Sequence, residues 1–507
     1  MVRQLVVTAL IASWNLWPLI AASQAATPQW SATDSAQAEE SSKPSGNDSP
    51  LVLSATYIGQ AAGNPRGGVR QDIAYAGRLL VSGAIELNRF IPGGSLNVWF
   101  THRQGRNLAD FALGTSTGVQ EIYSPQASHL SVLSYAQTFF DGGLELEAGR
   151  TPANVSFFSS LLCGYLQTNS ACGSPTFLFK ISNLTYFPPS SWGARVKVRL
   201  ADRGHVHVGV YEVNPDRTRA DATGLEWSVK NATGVIVPFQ FSYTTASRNE
   251  HSRTVQIGGW YDAATYSDPT DDDRGGLAVL SGRLHATRHG RSGAYFSVEQ
   301  VVWRPAGDHE RSLRLFGLAM AKVSGRVNED RFLQFGLLQS GTFPRRRADS
   351  VAFVINDQTF SRLALHNIRA ARASRGNTDD LPRHQIMMEL AYGIQISANL
   401  RLSPNIHYII NPDQLADPFR TQRIGNVFAI GLRFAVEAPL LKASRSAESS
   451  AVGHNLLGQA RTDDIYHLKS STCVTQRITS SRHATGSSAP RPASSAGAAR
   501  KGPRSPS

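Results

Sequence analysis

The chain has 507 residues, of which 41% are hydrophobic, and its formal net charge is +13. This hydrophobic fraction is too low for a helical membrane protein, but it suits a sheet in which only alternate residues are apolar. The basic balance raises nucleic acid as a partner. Because the aromatic-plus-basic modules of nucleic-acid folds are missing, we expect no nucleic-acid partner.

Residues 1–25 have the pattern of a cleaved secretory signal. Arg3 gives a charged start, Leu5 to Ala12 form an apolar run, and Ser23-Gln24-Ala25 is a small-x-small cleavage site. An uncleaved membrane helix is the alternative, although the apolar run is short for a bilayer. Residues 26–50 are rich in Ser, Ala, Gln, Glu and Pro, which predicts a disordered lead.

Residues 51–438 alternate between apolar and polar side chains in short runs separated by turns. The run from Trp192 to Leu200 has Trp, Ala, Val, Val and Leu on one face and Gly, Arg, Lys and Arg on the other. A period of two indicates a β-strand with two unlike faces. Following a secretion signal and without a domain linker, the pattern predicts an all-β fold. We expect an antiparallel transmembrane β-barrel of about sixteen strands in the outer membrane, with its apolar face in lipid and its polar face around a lumen.

The candidate strands are even in number, which brings both ends of a barrel chain to the same side. Short turns at 140–143 and 201–204 alternate with long loops at 152–190, 214–232 and 263–291. The apolar residues of 361–373 recur at helical spacing, so we expect a helix within a loop there. The predicted strands are 51–60, 71–87, 94–103, 129–140, 143–151, 191–201, 204–213, 233–243, 252–262, 292–303, 311–321, 331–340, 349–356, 385–396, 400–410 and 425–436.

Residues 439–507 form a Ser-, Ala- and Arg-rich segment without periodicity, and we expect a disordered basic tail. Three cysteines follow the export signal. Cys163 and Cys172 bracket a short loop, and in an oxidising compartment we expect them to form a disulfide. A metal site would be the alternative for this pair, but it would need two further ligands. Cys473 in the tail is left without an assigned role.

The alternation also predicts which side chains face the lumen. A Lys or Arg on the lipid face costs about 2–4 kcal/mol near the bilayer midplane, so charged strand residues should point inward. Trp99, Trp260 and Trp303 are candidates for stacking on sugar rings. Inward Arg and Glu could instead pair with each other and brace the barrel without contacting a solute. The candidates for the lumen or its constriction are Arg78, Arg103, Arg195, Lys197, Arg199, Glu145, Glu147 and Glu299.

Several segments of the chain match a known family. The more specific ones are Trp192-Gly193-Ala194-Arg195 and Tyr211-Glu212-Val213-Asn214-Pro215, and further ones include Gly77-Arg78-Leu79 and Gly258-Gly259-Trp260-Tyr261-Asp262. In these segments the chain resembles the carbohydrate-selective porins of the OprB family. The resemblance covers about residues 51–436. It implies a sixteen-stranded outer-membrane barrel that passes glucose and related sugars down their gradient through a narrow, arginine-rich constriction. By motif position, Arg78, Arg195 and Arg199 are the lumen cations that it implies.

Other functions find less support in the sequence. There is no Gly-x-Ser-x-Gly elbow, no His-Glu-x-x-His motif and no phosphate-binding loop, so we expect no enzyme, no cofactor and no metal. His205 and His207 share a strand face and could bind a metal, and Glu145 and Glu147 could mimic a catalytic pair, but polar lumen positions explain both. A porin for organic acids is the alternative function. Whether the barrel is a monomer or a homotrimer stays open.

Overall fold

The computed structural model describes residues 51–158, 161–171, 176–201, 203–245, 251–306, 308 and 310–442. Sixteen antiparallel strands pair in chain order, and β16 pairs with β1 to close the barrel. The predicted fold class and strand number are confirmed. The strands are β1 Leu51–Arg66, β2 Ile73–Glu86, β3 Gly94–Gly105, β4 Ser128–Phe139, β5 Leu144–Thr151, β6 Ser191–Leu200, β7 Gly204–Val213, β8 Gly234–Thr244, β9 Arg253–Asp272, β10 His285–Trp303, β11 Ser312–Ser324, β12 Glu329–Ser340, β13 Ser350–Phe360, β14 His384–Ser397, β15 Leu400–Ile410 and β16 Val427–Lys442.

Helical segments lie in the loops at one end of the barrel. They are a π-helical turn Ala109–Leu113, α1 Ala153–Ser156, 3₁₀ turns Leu161–Gly164 and Pro215–Thr218, α2 Thr176–Ile181, α3 Ala278–Ser281 and α4 Arg362–Ala373. Among the described residues, no helix combines the length and the apolar character that a bilayer crossing requires. We name three loops of this end L2 (106–127), L3 (152–190) and L4 (214–233).

Burial along the strands follows the predicted period of two. In β3, Val98 and Phe100 are exposed on the outer wall, whereas Thr101 and Arg103 are buried on the inner side. In β6, Val198 is exposed and Arg195 is buried. An apolar exterior and a polar interior is the arrangement that a bilayer requires of a barrel wall.

The hairpin of β9 and β10 is longer than predicted. The sequence predicted strands 252–262 and 292–303 joined by a long loop, but pairing continues to Asp272 and resumes at His285. The buried positions near the end of this extension include the carboxylates Asp268 and Asp272. Asp268, for example, is fully buried and lies 2.7 Å from Arg288 and 2.6 Å from Arg326. Alternation of apolar and polar residues does not identify a strand segment whose inward side chains include charged residues in ion pairs.

Two other predicted boundaries can be compared with the structure. The predicted helix in 361–373 is confirmed as α4, which begins after Ser361, whose hydroxyl accepts a hydrogen bond from the Ala364 N–H at 3.1 Å. The apolar face predicted for this helix is buried.

Strand β16 continues four residues past the predicted barrel end at 438, and Lys442 pairs with Val52 of β1. The signal segment, the lead and residues 443–507 lie outside the described residues.

The core lies inside the barrel, where L2 and L3 fold against the wall. Phe157, Phe158 and Phe177 of L3 pack with wall residues such as Trp260 and Phe332. Leu108 and Leu113 of L2 form a second cluster with β1, β2 and β14–β16. The interior is therefore filled in part by loops that begin and end at one rim.

Candidate functional site

Loop L3 is seated on a buried carboxylate of β14. The two oxygens of Glu389 accept hydrogen bonds from the Gln167 and Thr168 N–H groups, both at 2.8 Å. Arg433 of β16 donates to the Gly164 carbonyl at 3.2 Å. Hydrogen bonds to a charged acceptor are roughly twice as strong as neutral ones. The middle of L3 is therefore fixed to the wall opposite its own strands.

A lysine joins L3 to L2 and to β12. The Lys180 ammonium lies 2.8 Å from the Glu329 carboxylate, and it donates to Ser116 Oγ at 2.9 Å and to Thr117 Oγ1 at 2.7 Å. Glu329 is fully buried. Because a buried charge is tolerated when it is paired, this contact holds both loops and the wall in one arrangement.

L2 and L3 meet beside a pair of arginines. Arg78 of β2 and Arg103 of β3 are cross-strand partners, and both are 5% exposed. Their guanidinium carbons lie 5.8 and 5.3 Å from the ring centroid of Phe187 in L3. Arg103 also donates to the Ile122 carbonyl of L2 at 2.7 Å. The structure thus brings together two of the predicted cations where L2 and L3 fold into the barrel, a place that the sequence did not locate and that we call the narrowing.

Beyond the narrowing, a cavity of about 1080 Å³ opens toward the short-turn end of the barrel. Trp99 of β3 lies in its lining, and its ring centroid is 6.4 Å from that of Phe187. Val155 and Ser156 of L3 also line it. Trp99 therefore lies between the arginine pair and the open cavity, and its role as a stacking residue stays a prediction.

The charges that line the cavity balance. Four cationic side chains face four carboxylates, and a lining with equal numbers of both signs favours no charge type by its net field. The cations are Arg195, Lys197, Arg199 and Arg203, and the carboxylates are Glu86, Asp141, Glu145 and Glu147.

The inward basic residues predicted on β6 are Arg195, Lys197 and Arg199, and they lie in two different environments. Arg195 lies 2.5 Å from both Glu145 and Glu147 of β5, and all three are inward. This is the bracing arrangement that the sequence left open as an alternative. Lys197 and Arg199 continue along the strand into the cavity, where Arg199 is exposed.

Because Arg195 and Arg199 have different surroundings, their substitution by glutamine should have different effects, although each substitution removes one positive charge. Arg195→Gln removes the arginine from Glu145 and Glu147 and leaves Glu147 with the Ser134 hydroxyl as donor, and the loss of a buried charged partner costs about 1–3 kcal/mol. We expect it to lower the temperature at which the barrel unfolds in detergent gels and to shift the reversal potential toward cations. Arg199→Gln should shift the reversal potential without the loss of thermal resistance. Equal thermal effects would contradict a bracing role for Arg195.

Three other predicted residues lie apart from this group. Glu299 of β10 pairs with Arg314 of β11 at 3.1 Å and is absent from the cavity lining. Trp260 is 1% exposed and packs edge-on against Phe158 of L3 at 5.9 Å. Its interpretation as a stacking residue was wrong, because the aromatic cluster under L3 covers it. Trp303 lies at the short-turn end, 5.5 Å from the Arg311 guanidinium.

Cys172 lies outside the described residues, so the disulfide between Cys163 and Cys172 stays a prediction. The described residues contain no group of three His, Cys, Asp or Glu side chains arranged to hold a metal. His207 stacks on Phe157, with ring centroids 3.9 Å apart. His207 therefore contributes to the packing of L3 against the barrel wall.

Sequence reasoning missed the L3 residues that shape the narrowing. Phe187 and Lys180 belong to a loop without periodicity, so no pattern gave their direction. Arg401 of β15 was open to prediction, since the strand alternation turns it inward, and its guanidinium lies 4.9 Å from the Tyr165 ring centroid of L3.

Comparison with known proteins agrees with this geometry. Residues 70–437 match the family model described as carbohydrate-selective porin, OprB family. Porin B of Pseudomonas aeruginosa is 27% identical over 378 residues, which cover 70% of this chain and 82% of that protein. The high-pH structure of Pseudomonas putida OprB superposes with a TM-score of 0.69 at 24% identity, covering 77% of this chain and 94% of that one.

The family match spans more than half of the chain, and the fold agrees with that of a solved porin. A barrel of this family is a channel and not an enzyme, and its relatives imply the bacterial outer membrane. The chain belongs to the OprB family of carbohydrate-selective porins.

Proposed function

We propose that this porin gives passive, carbohydrate-selective diffusion, with glucose and related sugars as its solutes, through an arginine-lined lumen. The observation that carries the proposal is the Arg78–Arg103 pair beside Phe187, where L2 and L3 meet. Guanidinium groups present several fixed donors to hydroxyl oxygens. Such contacts are individually weak, which lets a solute leave as well as enter.

The charge-balanced cavity supports a neutral solute over an organic acid. Four cations and four carboxylates line it, so an anion gains no net attraction there. Trp99 offers a ring face next to the narrowing, and the apolar faces of a pyranose stack on such rings. The proposal therefore places hydroxyl recognition at the arginines and ring recognition at Trp99.

Liposome swelling with the purified protein tests the proposal. Glucose and gluconate are close in size, and gluconate is an open-chain organic acid with a carboxylate in place of the sugar ring, so we expect glucose to enter several-fold faster than gluconate. Faster gluconate entry would support the organic-acid alternative. No swelling beyond that of protein-free liposomes would contradict a channel for either class.

We also propose that residues 1–25 direct export and are removed by cleavage after Ala25, which the mass of the mature protein from outer membranes would test. The lipid that contacts the exported protein is, in this proposal, that of the bacterial outer membrane. Monomer and homotrimer remain alternatives that chemical crosslinking in native membranes would separate.

A further inference from the structure

Two charged side chains lie on the outward face of the barrel wall. Arg150 of β5 has the parity of Leu146 and Ala148, both exposed on the outside. Glu212 of β7 pairs with Val235 of β8, which is also exposed outward. Nevertheless Arg150 is 0% and Glu212 is 8% exposed. Something on the outer surface covers two charges that would otherwise face the bilayer.

The cover is a segment of L4, residues 217–229, which we call the L4 strap. Arg217 is 1% exposed and pairs with Glu212 at 3.0 Å. It also donates to the Ser228 carbonyl at 2.8 Å. Arg150 donates to the Glu226 carbonyl at 2.7 Å. Each outward charge is thus neutralised or hydrogen-bonded by the strap itself.

The second half of the strap presents large apolar side chains on its outer surface, whereas the exposed Arg219–Asp221 ion pair lies near its start. Leu225, Trp227 and Val229 are between 45% and 59% exposed. Trp192 of β6 joins them, because its indole N–H donates to the Trp227 carbonyl at 3.1 Å and the two ring centroids are 5.5 Å apart. Alternate strap residues therefore face outward, as they do in a wall strand.

The strap lies where the wall is shortest. Strand β5 has 8 residues and β6 has 10, whereas β9 has 20. Above the end of β5, the Leu130 N–H of β4 donates to the Thr223 carbonyl of the strap at 2.8 Å. This backbone hydrogen bond fastens the strap to β4 over the short strands. Val208 and Val210, which precede Glu212 by four and two residues on the same outward face of β7, are exposed.

We propose that the L4 strap is a lipid-contacting part of the barrel wall, with the hydrocarbon of the outer leaflet as its partner. Polar groups cannot be left unpaired at such depth, and the strap pairs both outward charges while adding Trp192 and Trp227 to the apolar belt. Aromatic side chains of this kind gather at the two membrane interfaces of barrels.

Three residues of the two most specific sequence segments contribute to the strap, whereas Arg195 of the first segment lines the cavity. Trp192 begins the Trp-Gly-Ala-Arg segment, and Glu212 belongs to the Tyr-Glu-Val-Asn-Pro segment. The Asn214 side-chain amide donates to Glu212 at 2.9 Å, and its side-chain oxygen accepts from the Asp216 N–H at 3.1 Å. These residues build and fasten the strap, and none of them contacts the solute pathway described above.

Site-directed spin labelling in liposomes tests the proposal. Single cysteines would replace Trp227 and Val229 in a Cys473→Ser chain, and the same chain without an added cysteine gives the background. Val208→Cys marks the lipid belt, and Leu284→Cys, at an exposed position between α3 and β10, marks the aqueous side. We expect the ratio of oxygen to nickel-chelate collisions at 227 and 229 to lie within about twofold of Val208 and several-fold above Leu284.

Three outcomes decide the matter. Collision ratios equal to that of Leu284 would overturn the proposal, and so would dipolar broadening between labels at 227, which would make the strap a contact between copies. Arg217→Ala should move the Val229 label several-fold toward the aqueous value, since it removes the strap's bond to Glu212. If that variant does not fold, the comparison of 227 and 229 with the two reference positions still decides.

Discussion

An Arg78→Gln, Arg103→Gln double variant is expected to lose most of the glucose block of its ion current. The two guanidinium groups lie on directly paired strand positions and share the Phe187 ring. Each guanidinium group holds its N–H donors in a fixed plane, so two hydroxyl oxygens of one solute can accept hydrogen bonds from the pair. Losing one such charged hydrogen bond costs at least about 1.4 kcal/mol, which is a tenfold weaker apparent affinity.

The measurement is single-channel current in a glucose titration, with swelling rates for glucose and gluconate in parallel. Arg199→Gln is a matched control, because it removes one guanidinium from the cavity rather than from the narrowing. Arg103→Lys separates charge from geometry: a lysine keeps the charge but lacks the planar donor fork, so the block should be intermediate. An unchanged glucose block in the double variant would remove both arginines from the sugar pathway.

The wall was predictable because the bilayer imposes one rule on every strand. An outward charge is costly, so parity alone placed Arg78, Arg103 and Arg195 on the inner side, and their burial agrees. The exceptions are instructive. Arg150 and Glu212 have outward parity, and a sequence period cannot reveal a loop that folds over them.

The interior was not predictable by the same means. The position of Phe187 depends on contacts between elements far apart in sequence, such as Glu389 with Gln167, which are 222 residues apart. Local alternation carries no information about such contacts. It predicted an inward Arg195 but could not distinguish a solute contact from the brace with Glu145 and Glu147. The same limit explains Trp260, whose inward direction was right and whose exposure was wrong.

The anchor of L3 gives the second large effect: Glu389→Ala should widen the channel and destabilise it together. The substitution leaves the Gln167 and Thr168 N–H groups without their acceptor, and a buried unsatisfied donor costs about 1–3 kcal/mol. Released from the wall, the middle of L3 can move within the lumen. We expect a higher mean conductance with larger current noise, faster disaccharide entry and a lower unfolding temperature.

Glu299→Ala is the matched control, since it removes an inward carboxylate that pairs with Arg314 of the wall and touches no described residue of L3. It should leave current noise and disaccharide entry as they are in the unsubstituted protein. Glu389→Gln tests whether the charge of Glu389 is needed. Its neutral amide oxygen can still accept a hydrogen bond from one N–H group, so the current noise of this variant should lie between those of the unsubstituted protein and Glu389→Ala. If the current noise of Glu389→Ala equalled that of Glu299→Ala, the prediction would be contradicted. The remaining contacts of L3, such as those of Lys180 and Arg433, would then be sufficient to hold the loop.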